Sequence, residues 1–114
     1  MESILTSIKK LLGIAEDYEY FDADIIIHIN SAFMVLRQIG IGPPNGYFIK
    51  DKTDTWDEFD SGVTDLEAIK TYIYLRVRLA FDPPSSSATM DSLYKQLNEY
   101  EWRLNISAES KAGD

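Results

Sequence analysis

His28 is the first residue to examine for chemistry, because the chain carries one histidine and no cysteine. Without cysteine, no disulfide framework, thiolate zinc site or cysteine nucleophile can be built. His28 lies between Ile27 and Ile29 in a segment of helical pattern, with Asp24 four residues before it and Ser31 three after. All three fall on one side of one helix, a common setting for a helical histidine and not the relay that a nucleophile needs. The acids from Asp51 to Asp60 resemble a calcium loop in composition alone. Counting from Asp51, the third and fifth positions are Thr53 and Thr55, and the sixth is Trp56, where the sharp turn requires glycine. Gly40 and Gly42 lack the third glycine of a phosphate-cradling fingerprint, follow a helical segment, and precede two prolines with no N–H to offer. The other carboxylates have no pocket signature around them, so the sequence predicts no catalytic residue, no metal site and no cofactor.

The elements that must carry these residues are helical almost throughout. Ile4, Leu5, Ile8, Leu11 and Leu12 recur at helical spacing until Gly13, and Lys9 and Lys10 suit the negative end of the helix dipole. Asp22 and Asp24 supply an N-cap and first-turn acids for a long helix with the stripe Ile25, Ile29, Ala32, Phe33, Leu36 and Ile39, ended by Gly40. Thr64 and Glu67 have capping-box spacing and open a helix through Ile69, Ile73, Val77 and Ala80, which Asp82-Pro83-Pro84 closes. One of Ser85, Ser86 and Ser87 caps the last helix, whose seam of Met90, Leu93, Leu97, Tyr100 and Leu104 spans about two heptads, too short for an independent coiled coil. It predicts packing inside a bundle.

Between the second helix and Thr64 the pattern breaks. Two prolines and three glycines stand between Gly40 and Gly46, an extended segment is expected near residues 47–50, and Trp56 and Phe59 fall on one helical turn capped by Asp54 or Thr55. A connection this long in so small a chain is where contacts with other molecules are expected. The fold class is all-α: a small bundle of about four main helices with a long irregular loop, one domain over residues 1–114, and a flexible polar tail over 107–114.

The 114 residues fit one core, and 45% apolar with 26% charged residues is the composition of a chain that folds. No apolar run reaches the length needed to span a bilayer, and the start lacks the basic region of a secretory signal, so a cytoplasmic protein with no membrane contact is expected. Nineteen Asp and Glu against eleven Lys and Arg give a net charge of −8, which argues against ordinary nucleic-acid binding. The acids concentrate between Asp51 and Asp60, where a solvated loop is the simple expectation.

What remains unexplained is apolar residues off the main stripes. Ile27 and Met34 point roughly opposite to Ile25 and Ile29; Tyr72, Leu75 and Leu79 form a second row beside Ile69 and Ile73; Trp102 and Ile106 lie 140° or more from Leu97 at about 100° per residue. Together with Tyr47, Phe48 and Ile49 of the loop, these are the expected partner-interface residues, because a small bundle cannot enclose every such face and Trp is a typical interface anchor.

Several segments also resemble the small head-tail connector, or adaptor, proteins of tailed bacteriophages and prophages. They are Lys9-Lys10-Leu11-Leu12-Gly13-Ile14, Phe21-Asp22, Ile29-Asn30-Ser31-Ala32-Phe33, Gly40-Ile41-Gly42, Trp56, Phe81-Asp82-Pro83-Pro84 and Glu101-Trp102-Arg103-Leu104-Asn105. The resemblance spans about residues 5–106 and implies a helical, non-enzymatic virion protein. It implies a homo-oligomeric ring, usually a dodecamer, that sits under the portal protein, meets tail-side connector or stopper proteins, and surrounds a channel through which DNA passes without specific binding. Such a protein would reside in the host cytoplasm during assembly and then in the virion. The competing expectation, from charge and size alone, is an acidic regulatory binder that mimics DNA and inhibits a nucleic-acid enzyme. A mimic would space carboxylates at phosphate-like intervals over a whole surface, whereas here they concentrate in residues 16–24 and 51–60.

Overall fold

Ser3 starts the first helix by accepting the Thr6 N–H on its hydroxyl at 3.2 Å. In the computed structural model, which describes residues 2–59 and 66–112, this helix, α1, runs Ile4–Leu12 and ends at Gly13. It buries Ile4, Leu5 and Ile8, while Leu11 in its last turn stays exposed. The long helix α2, Asp22–Ile39, begins one residue earlier in its role than expected: Phe21 takes the cap position and Asp22 lies inside the first turn. Its stripe of Ile25, Ile29, Ala32, Phe33 and Leu36 is buried, and Gly40, at φ +101, turns the chain out of the helix while donating its N–H to the carbonyls of Leu36 and Arg37.

A single turn, α3 (Trp56–Phe59), follows the irregular connection, and α4 (Leu66–Phe81) and α5 (Ser87–Ala112) complete the chain. The expected capping box at Thr64 lies outside the described residues. At the start of α5, Ser86 is the cap: its carbonyl accepts from Met90 at 2.9 Å and its hydroxyl from Thr89 at 3.4 Å. The seam on α5 packs as its spacing predicts, with Leu97 and Leu104 buried and Met90, Leu93 and Tyr100 half-buried. The expected tail at 107–114 begins as helix, since α5 continues to Ala112.

α4 is the central element, packed against α2, α5 and α1; α1 also lies against α2, and α2 and α5 touch each other. Phe21 at the start of α2 meets Phe81 at the end of α4, ring centroids 5.2 Å apart, so the two helices run antiparallel. Tyr72 early in α4 reaches Glu101 late in α5, so that pair is antiparallel too. α2 and α5 therefore point the same way. The molecule measures 43 × 36 × 19 Å, and its thinnest dimension is about two helix diameters.

Residues 47–50 form no strand, and the described residues contain no sheet. The backbone of Ile49 is instead paired by a side chain: Asn30 of α2 accepts the Ile49 N–H at 2.7 Å and donates to its carbonyl at 3.0 Å. One amide thus offers the loop what a neighbouring strand would offer. An isolated β-bridge lies elsewhere among the described residues, between Ser3 and Thr55. Under this loop Phe33, Tyr47, Trp56 and Phe59 make a ring cluster with centroids 4.9 to 6.4 Å apart. Gly42 fits against it only as glycine, because its φ is +97 and a Cβ there would come within 2.8 Å of the Phe59 ring.

Candidate functional site

Several polar side chains hold joints between the elements. Lys9, 2% exposed, extends from α1 across the turn to α2 and donates to the carbonyls of Glu16 at 3.0 Å and Tyr18 at 2.8 Å, with Asp22 Oδ1 2.8 Å away. Three oxygens around an ammonium with three protons explain how it can be buried. In the acidic loop, Asp54 is buried and accepts the backbone N–H groups of Lys50 at 2.6 Å and Asp51 at 3.3 Å. Asp51 accepts both the N–H and the hydroxyl of Thr53, and these hydrogen bonds hold its carboxyl below the usual range. Glu58 closes the turn from the other end by accepting the Thr55 N–H at 2.7 Å. The loop expected to be merely solvated is organised by its own carboxylates, and Thr55, not Asp54, stands at the head of α3.

A third joint ties α4 to α5. Tyr72 is buried and donates to Glu101 Oε2 at 2.9 Å, while Arg76 reaches the same phenol at 3.4 Å. Burial pushes the Tyr72 phenol up to about 12; Arg76 opposes the shift and Glu101 reinforces it. Tyr47 is also pushed up to about 12, first by burial and then by the carboxylates of Glu58 and Asp54. Its hydroxyl is buried without a hydrogen-bond partner. His28 is half-buried, its ring 6.4 Å from that of Phe81. Among the described residues no three His, Asp or Glu side chains converge where a metal ion could be held, and no helix is long and apolar enough to cross a membrane.

The expected interface residues divide sharply. Ile27, Met34, Phe48, Trp102 and Ile106 are exposed, with Trp102 at 65%. Tyr47 and Leu79 are half-buried against the core. Ile49, Tyr72 and Leu75 are buried and present no surface to a partner. The correction has a physical cause in each case: Asn30 pins Ile49 down onto α2, and the second row on α4 is enclosed because α4 has a helix on both sides. Sequence reasoning also missed Lys9 and Asn30, which fix the two connections; a lysine in the last turn of an amphipathic helix and an asparagine inside an apolar stripe give no sequence signal that separates a joint from a surface residue.

The exposed members form two faces. On α2, Ile27 and Met34 line a groove of about 500 Å3 whose other wall is the loop carrying Phe48, with Ser31 between them and Arg37 at its end. On α5, Trp102 and Ile106 stand out from the flank that faces away from α4.

The described residues thus define an all-α protein with two exposed apolar helix faces. The family model described as phage connector protein matches residues 4–111, and the chain belongs to that family. The family is a structural one, in line with the resemblance carried by the sequence segments above. No curated protein and no solved structure matches the chain.

Proposed function

We propose that this phage connector protein is an adaptor at the junction of head and tail, assembling as a ring under the portal and around the DNA channel. The observation that carries the reading is the pair of exposed apolar faces on two different helices of one family member, since side-by-side copies in a ring need two different surfaces. Its partners are further copies of itself, usually twelve by the resemblance, the portal protein above and a tail-side connector or stopper below. It acts in the host cytoplasm during assembly and then in the virion, as one domain without catalysis. A net charge of −8 per copy suits a wall past which DNA slides without sticking. The alternative of a DNA mimic has less support, because Asp22, Asp51 and Asp54 are engaged with the chain's own lysine and backbone groups.

Light scattering with and without a purified portal ring tests the reading. A monomer or small oligomer alone, becoming a ring-sized mass on the portal, is expected; failure to bind the portal, or clear retention of duplex DNA at about 0.15 M salt, overturns it.

A further inference from the structure

Resting on that ring reading, we infer that the copy-to-copy contact is a parallel helix pair in which Trp102 and Ile106 on α5 of one copy fill the α2 groove of the next. The groove is not uniformly apolar. Between Ile27 and Met34 the face of α2 carries the small side chain of Ser31, which leaves a notch walled on the far side by Phe48. At about 100° per residue, Ile27, Ser31 and Met34 lie within about 60° of one another on α2, with Asp24 and Arg37 at the two edges of that face about 140° apart, and Lys95, Trp102, Ile106 and Glu109 share the outer face of α5.

The charges at the ends favour one direction. The side chains of Asp24, Arg37, Lys95 and Glu109 make no hydrogen bond or ion pair among the described residues. Asp24 and Arg37 are 13 residues apart and Lys95 and Glu109 are 14, so at 1.5 Å per residue the two spans are about 20 and 21 Å. Laid parallel, the helices set Asp24 beside Lys95 and Arg37 beside Glu109, with Trp102 opposite Ser31 and Ile106 opposite Met34. Laid antiparallel, they set Asp24 against Glu109 and Arg37 against Lys95, like charge on like. The fold reaches the same answer independently. Within one chain α2 and α5 each run antiparallel to α4, and so in the same direction, by the Phe21–Phe81 and Tyr72–Glu101 contacts, and they also touch each other. A neighbour related by rotation about an axis along the helices therefore brings its α5 parallel to the first copy's α2. Groove and ridge are different surfaces, so the contact is head-to-tail and propagates from copy to copy, forming a ring where the rotation between copies closes, instead of stopping at a dimer.

The test uses the absence of native cysteine. Met34→Cys protein and Ile106→Cys protein are mixed, assembled on the portal ring and oxidised. A disulfide between the two variants is expected, with neither variant cross-linking to itself. In parallel, Arg37→Glu or Glu109→Arg alone is expected to weaken assembly by about tenfold or more, and Arg37→Glu with Glu109→Arg in the same chain to restore it. Self-cross-linking of Met34→Cys overturns the inference in favour of a two-fold contact. Assembly on the portal with no mixed cross-link, and with no effect of Arg37→Glu, overturns it while leaving the ring reading standing. Failure of the unsubstituted protein to assemble on the portal refutes the ring reading, and the copy-to-copy contact with it.

Discussion

The chain has two tryptophans, and the regions around them show opposite solutions for the same side chain. Trp56, 2% exposed, lies at the crossing of α1, α3 and α4, where its Nε1–H donates to Ser7 Oγ at 2.8 Å and Lys70 sits over its ring 5.4 Å from the centroid. Ser7 in turn donates to the Ile4 carbonyl at 3.0 Å, so the indole is fastened to the backbone of α1 through one hydroxyl. Trp102 has no such surroundings within the chain and stands in water on the outer flank of α5. Lys9 sharpens the contrast, because that cation is buried where the indole is wet. Burial here follows the supply of partners more than the polarity of the residue: three oxygens meet the ammonium, and an indole is left where no partner exists in one copy.

The comparison breaks most visibly at Trp56. Trp56→Ala removes a buried indole and orphans Ser7, and it is expected to destabilise the fold by about 3 to 5 kcal/mol in urea unfolding. A loss below about 1 kcal/mol would mean that the crossing is loosely packed and that the two tryptophan sites do not differ in kind.

Next in size is Lys9→Met, which keeps the aliphatic stem and deletes the charge. The carbonyls of Glu16 and Tyr18 lose their common donor and the carboxylate of Asp22 its ion-pair partner, so a loss of about 3 kcal/mol is expected, at the lower end for a buried pair because Asp22 is partly exposed. Equal stability of Lys9→Met and the unsubstituted protein would show that the methionine packs well enough to offset the lost ion pair.

Asn30→Ala addresses the loop. It leaves the buried N–H and carbonyl of Ile49 without partners, a cost of about 1 to 3 kcal/mol. The sharper readout is hydrogen exchange: the Ile49 amide should lose protection while amides in the middle of α4 keep theirs.

How much of this was legible in the sequence follows from range. Helix positions depend on local periodicity and caps, and Ser86, Gly13 and Gly40 mark ends that a reader of the sequence can place. The wet side of α5 was legible for the same reason, since Trp102 and Ile106 are out of phase with the Leu97 and Leu104 seam. The second row on α4 was not. Tyr72 and Leu75 have the same helical phase in a two-sided helix whether the second neighbour is α5 or another molecule, and only the three-dimensional order of helices decides it. Asn30 illustrates the other limit: its partner is 19 residues away, and an amide that pairs with a strand-like backbone has the same sequence pattern as one that faces water.

A smaller effect tests the α4–α5 joint. Tyr72→Phe deletes the hydrogen bond to Glu101, with an expected loss of about 1 kcal/mol at neutral pH. It also changes the alkaline limb. The folded-state phenol titrates at about 12 against the ordinary 10.0, so the unfolded chain releases its proton first. The stabilisation is therefore full below about 10 and is lost as pH rises towards 12. Tyr72→Phe should flatten part of that decline, and Tyr47, shifted the same way, should account for much of the remainder.

The smallest expected effect on the isolated chain completes the contrast between the tryptophans. Trp102 is 65% exposed and fastens nothing within the chain, so Trp102→Ala should change unfolding stability by less than about 0.5 kcal/mol. Assembly on the portal should weaken sharply, as truncation of an aromatic interface anchor does. The informative quantity is the difference between the two assays. Trp56→Ala lowers stability directly, and any assembly defect in it should recover under conditions that restore folding. Trp102→Ala should melt like the unsubstituted protein and still fail to assemble, because what it lacks is a surface for a neighbour and not a folded subunit. If instead Trp102→Ala loses as much stability as Trp56→Ala, the indole is supporting its own helix, and the apolar outer flank of α5 loses its claim as a contact between copies.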